Sequence, residues 1–109
     1  LATHLDHRRN DAQRVASAEA MLGMLRAWGD GPVIALGDFN DVPGSATYRM
    51  LMSGDREPAT GNREQVADGN RQAAGGSPGL LDVWSAVGQG DGFTIPVAAP
   101  TRRIDWILV

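Results

Sequence analysis

The run Pro32-Val33-Ile34-Ala35-Leu36, entered from Asp30-Gly31 and left through Gly37-Asp38-Phe39-Asn40, constrains the fold of this chain more than any other feature. A short continuous apolar run bounded by turn formers reads as a strand buried on both faces, the kind found inside a helix-covered sheet. Such a strand needs an apolar partner layer, and the segment before it supplies one. Val15, Ala18, Leu22 and Leu25 recur at helical spacing, Asn10 with Gln13 three residues on resembles a capping box, and Trp28-Gly29 closes the stripe. Arg14 and Arg26 are read as lying off that stripe.

The rest of the chain fits an α/β arrangement. Leu1, Thr3 and Leu5 alternate with Ala2, His4 and Asp6, which predicts a short first strand. A second helix is expected from a Ser45 cap through Tyr48, Leu51 and Met52 to a Gly54 stop. Residues 55–79 hold five glycines and Val66 as their only large aliphatic, so they read as a dispensable surface insertion. Leu80–Val87 is expected to be a short helix or turn, and Phe93–Val97 and Arg103–Val109 to be strands. The predicted order is βαβα(loop)ββ, with sheet and helix layers around one core, which is all that 109 residues can hold. No apolar run approaches the ~20 residues of a bilayer span. The chain opens on Leu1 without an initiator Met and closes on Ile104–Val109, so both ends are expected to be cut from strands of a longer protein.

Absences narrow the chemistry. Without Cys there is no disulfide, thiolate zinc cluster or Cys nucleophile. All ten basic residues are Arg, which removes the phosphate-gripping Lys of a P-loop and any Schiff-base Lys. A net charge of −3 argues against a domain that clamps nucleic acid through diffuse positive charge.

Three segments carry candidate chemistry. Gly37-Asp38-Phe39-Asn40-Asp41-Val42-Pro43 lies at the exit of the apolar strand, where α/β proteins gather ligand loops, and Gly37 is expected to turn the chain there. Asp38 and Asn40 are hard oxygen donors that suit Mg²⁺, a metal-bound water or a phosphate oxygen; alternatively Asp38, Asn40 and Asp41 only cap backbone amides in an Asx-turn. Asp105, set inside Arg102-Arg103-Ile104-Asp105-Trp106-Ile107, is a carboxylate in an apolar strand and needs a partner: Arg102 or Arg103, or a His or metal. Thr3-His4-Leu5-Asp6-His7 holds both histidines, with His4 and Asp6 on one strand face and His7 read as a hydrogen-bonded core residue.

The motifs T-H-L-D, G-D-F-N-D-x-P, L-x-D-x-W with G-F-T, and R-I-D-W-I-L-V, in that order, resemble the endonuclease/exonuclease/phosphatase family, the DNase I-like metal-dependent phosphoesterases. The resemblance covers nearly all of the chain outside residues 55–79. It implies the C-terminal portion (residues 1–109) of a two-sheet α/β sandwich, truncated at both ends, that hydrolyses phosphoester bonds with Mg²⁺ or Mn²⁺ as a phosphodiesterase, nuclease or phosphatase. Substrates within that class are small phosphodiesters, phospholipid head groups and nucleic acid.

By this resemblance His4 hydrogen-bonds the scissile phosphate or protonates the leaving group. Asp38 orients or deprotonates the attacking water close to the metal, and Asn40 holds a phosphate oxygen. Asp105 orients a general-base His, and Asp38 and Asn40 are the implied metal neighbours. The family's metal-holding Glu and S-D-H tail do not occur here. The isolated chain is therefore expected to be inactive and to self-associate over exposed apolar surface. The rival readings are a non-catalytic scaffold module of the same fold and an unrelated α/β domain that binds a cation without hydrolysis.

Overall fold

The computed structural model describes residues 1–54 and 79–109, and the expected insertion at 55–79 lies, except for Gly79, outside them. Three strands form one sheet: β1 (Ala2–His4), β2 (Ala35–Asp38) and β3 (Asp105–Leu108), in the order β1-β2-β3. β1 pairs parallel to β2 across the crossover helix α1 (Ala12–Trp28), and β3 pairs antiparallel on the other side of β2. Two shorter helices, α2 (Ala46–Ser53) and α3 (Val83–Val87), complete the described elements, none of which is long and apolar enough to cross a membrane.

The helix ends follow the sequence closely. Ser45 Oγ accepts the Tyr48 N–H at 3.2 Å and Gly54 turns left-handed at φ 70°, as read for α2. At α1 the capping box expected from Asn10 and Gln13 does not form: the helix is capped at Asp11 without a side-chain bond, and Asn10 Oδ1 accepts the Ala12 N–H at 2.9 Å instead of that of Gln13. β2 runs through Gly37 instead of turning there. Gly37 sits at φ +144°, and a Cβ on it would lie 1.9 Å from the Thr3 carbonyl oxygen, so the close pairing of β1 on β2 requires glycine.

The core lies on one side of the sheet. Ala18, Met21 and Leu22 of α1 and Met50 and Leu51 of α2 close over Leu5, Ala35, Trp106 and Leu108. Phe39 stacks on Trp106 with ring centroids 4.5 Å apart, and Tyr48 meets the same ring edge-on at 5.2 Å, contacts worth about 0.5–1.5 kcal/mol each beyond their burial. The expectation of a strand buried on both faces is overturned: Ile34 and Leu36 are 57% and 45% exposed, and Ile107 beside them 52%. Both α1 and α2 pack on the opposite face, and on this one Val83 and Trp84 of α3 line a groove with Leu36 and Ile107 without burying them. The strand expected at Phe93–Val97 is also absent. Ile95 makes one isolated bridge to Arg102, because Pro96 offers no N–H to continue a ladder.

A buried ion pair ties α3 to the chain entering β3. Asp82 caps α3 by accepting the Trp84 N–H at 3.1 Å, and its carboxylate also receives Ser85 Oγ at 2.7 Å, Tyr48 Oη at 2.9 Å and both terminal nitrogens of Arg103. Burial alone pushes this carboxyl up. The hydrogen bonds from Arg103, Ser85 and Tyr48 and the charge of Arg103 more than offset that and hold its pKa at about 2, against 3.8 ordinarily. A pKa lowered by folding gives stability that is full above about pH 4 and is lost as pH falls through about 2. Urea unfolding at pH 5 and pH 2 is expected to show a loss on the order of 2 kcal/mol from this group, absent in Asp82→Asn.

Candidate active site

The sheet register gathers three of the four candidate residues. His4 lies beside Asp38 across the parallel pair, and Asp38 opposite Asp105 across the antiparallel pair. Residues directly across a ladder share a face, so His4, Asp38 and Asp105 form one row over three strands. The row is on the face opposite α1 and α2, where His4 is 74% exposed and Asp38 32%. His4 Nε2 stands 3.6 Å from Asp38 Oδ2, too long for a hydrogen bond and within ion-pair range when the imidazole is protonated. Two carboxylates directly opposite on antiparallel strands repel, so the Asp38/Asp105 pairing works against folding and calls for positive charge near the row.

Asn40 stands next to this row. Phe39 is fully buried and its N–H bonds the Ile104 carbonyl at 2.8 Å, so the chain leaves β2 firmly anchored. Asn40 then turns left-handed at φ 49°, a conformation that Asn tolerates better than most residues. Its N–H donates to Asp38 Oδ1 at 2.8 Å, and its Nδ2 donates to the Leu5 carbonyl at 2.8 Å. The Asx-turn read as one alternative is therefore present: Asp38 Oδ1 and Asp41 Oδ1 both accept backbone amides. It does not exhaust the site, because Asp38 Oδ2 is turned toward His4 and one amide hydrogen of Asn40 remains beyond its bond to Leu5.

Two expectations are corrected. Asp105 is exposed, and its side chain has no hydrogen bond or ion pair among the described residues, because β3 alternates and turns Trp106 and Leu108 into the core instead. Arg103, one of its expected partners, is taken by Asp82. His7 is exposed rather than a hydrogen-bonded core residue, since β1 ends at His4 and the chain turns outward.

Sequence reasoning missed Arg14. It is on the buried face of α1 with Ala18, Met21 and Leu22, its side chain only 8% exposed. Its Nε donates to Asp41 Oδ2 at 3.1 Å, and one terminal nitrogen donates to the Asp6 and Arg8 carbonyls at 3.1 and 2.6 Å. The signal was present: Arg14 stands four residues before Ala18 and seven before Met21, in phase with the buried stripe.

The described residues do not by themselves make a divalent-cation site. A hard cation such as Mg²⁺ takes about six oxygen ligands. No group of three His, Asp or Glu side chains among the described residues could hold a metal ion.

A groove of about 410 Å³ extends from Asp105 along Leu36, Ile107 and Trp84. It continues the bare apolar face beside the row.

Compared with known proteins, the chain matches the model of the Endonuclease/Exonuclease/phosphatase family over residues 1–109. No curated protein and no solved structure matches it.

Proposed function

The chain belongs to the endonuclease/exonuclease/phosphatase family, a group of hydrolases acting on phosphoester bonds, and on that premise we propose that the row His4, Asp38 and Asp105, with Asn40, is its phosphoester-hydrolysing site. The observation that carries this reading is the convergence of residues 34 and 67 positions apart in sequence, His4 with Asp38 and Asp38 with Asp105, at one end of one sheet face. Family membership removes the rival of an unrelated α/β cation binder.

In the proposed reaction, water attacks phosphorus in line with the leaving oxygen. Asp38 Oδ2 takes the water proton as the new P–O bond forms. The bond to the leaving group breaks, and protonated His4 donates its proton to the departing oxygen. The remaining amide hydrogen of Asn40 holds a non-bridging oxygen as charge builds on it. Asp105, opposite Asp38 in the register, adds a second carboxylate to the row. The family generally works with a divalent metal, Mg²⁺ or Mn²⁺ in this reading, which would neutralise phosphoryl charge. No step above passes through it, because the described ligands do not complete its site.

The bare face supports a second layer. Ile34, Leu36 and Ile107 would be covered by the other sheet of a two-sheet sandwich, of which residues 1–109 would be the C-terminal portion. The isolated chain would cover the same surface by self-association. Light scattering is expected to give a mass above 11.6 kDa that rises with concentration, and a dilute monomer would count against this.

The activity is tested on the complete protein with a panel of a small phosphodiester, a phospholipid, a nucleic acid and a phosphomonoester, with Mg²⁺, Mn²⁺ or chelator added. Hydrolysis of at least one class is expected, and inertness toward all of them would favour the non-catalytic scaffold.

A further inference from the structure

We infer that Arg14 is a positioning residue that sets Asn40 against Asp38 and His4, an inference that rests on the proposed site. Two loops meet beside the row. One leaves β1 through Leu5, Asp6 and His7; the other leaves β2 through Phe39, Asn40 and Asp41. The Leu5 N–H donates to the Asp38 carbonyl at 2.9 Å and Asn40 Nδ2 donates to the Leu5 carbonyl at 2.8 Å, so the two are already stitched at one edge. Arg14 stitches the other edge, with Asp41 on one side and the Asp6 and Arg8 carbonyls on the other. The guanidinium is thus a rigid spacer between the residues that follow His4 and the residue that follows Asn40.

The chemistry of the contact favours Arg specifically. Its planar fork offers Nε and a terminal nitrogen in different directions, and three acceptors converge on it from two chain segments. A lysine carries the charge but is a single point on a flexible stem. A buried Arg whose purpose was burial alone would be a poor choice, since apolar residues of similar volume pack the same space without desolvating a charge. Its acceptors all belong to the two loops that present the proposed site, and none belongs to the core.

The test uses the complete protein, on whichever phosphoester it hydrolyses, with Arg14→Met, Arg14→Lys and Asn40→Ala. Arg14→Met is expected to lower kcat about 10²-fold with KM within about twofold, by analogy with a loss of geometry at reacting groups. Arg14→Lys should recover less than a tenth of the wild-type rate. In the Asn40→Ala background, removing Arg14 should change kcat less than about twofold, because its effect passes through Asn40. A folded Arg14→Met with wild-type kcat, or effects that multiply with those of Asn40→Ala, would overturn the inference.

A second readout does not depend on activity. Amide exchange at Leu5 and at the Asn40 side chain should rise at least tenfold in Arg14→Met while Trp106 is unchanged, and unchanged exchange at Leu5 and Asn40 would also overturn it. If Arg14→Met does not fold, Asp41→Asn, which removes the partner charge, is read by the same criteria. Failure of the proposed site itself shows differently, as a wild-type protein without turnover or an Asp38→Asn variant with full turnover.

Discussion

In the complete protein, Asp38→Asn is expected to reduce kcat by about 10² to 10³, and Asn40→Ala by a similar factor, the range seen when one charge-stabilising or orienting group is removed from an active site. The two substitutions act on different atoms. Asp38→Asn preserves shape and leaves an acceptor for the Asn40 N–H, so the turn at 38–40 should survive while the basic oxygen facing His4 is lost. Asn40→Ala removes the bond to the Leu5 carbonyl and places Ala at φ 49°, which costs about 1–2 kcal/mol of stability in addition to the transition-state contact. Turnover per folded molecule, with the folded fraction fixed by urea titration, separates the effects. Near wild-type turnover in folded Asp38→Asn would remove Asp38 from the reaction.

The largest effect on stability is expected at Arg103. Arg103→Met leaves the Asp82 carboxylate buried with only the Tyr48 and Ser85 hydroxyls and the Trp84 amide, and an unpaired buried charge costs about 3–5 kcal/mol. A domain of this length has about 5–15 kcal/mol in all, so a large part of the population should unfold under mild denaturant. The double variant Asp82→Leu with Arg103→Met should recover much of the loss, because it removes both charges. A single Arg103→Met with an unchanged urea midpoint would show that the pair contributes only shape.

Much of the fold was legible because local rules and tertiary structure agree. Ser45 and Gly54 mark α2 by cap chemistry that acts within one turn, and the Val15 to Leu25 stripe marks α1. The row of the candidate site was legible for a similar reason: G-D-F-N and R-I-D mark the ends of paired strands, and register alone then aligns Asp38 with Asp105.

What was not legible depends on which layer covers which face. Val33–Leu36 reads as buried on both sides from its apolarity, but burial needs a second layer, and no residue in the run says whether one is present. The same ambiguity affected Asp105. Its neighbours are apolar, yet in a strand they alternate, and Asp105 shares the outer face with Ile107 while Trp106 and Leu108 point inward. The partner demanded for a buried carboxylate exists at Asp82, one turn signal earlier in the L-x-D-x-W motif, where the sequence alone assigned no role. Arg14 was missed because a charged residue in phase with an apolar stripe looks solvated until its three acceptors are brought to it by two distant loops.

If His4, Asp38 and Asp105 act on phosphoesters as one unit, steady-state hydrolysis by the complete protein of the phosphoester it cleaves will show it. His4→Ala, Asp38→Asn, Asp105→Asn and the triple variant are compared with the wild type. Residues that act as a unit are strongly non-additive. The triple variant is expected to be no slower than the slowest single variant within about threefold, with each single variant at least tenfold below wild type. Single effects that multiply in the triple variant, or single variants that turn over as fast as the wild type, would contradict it.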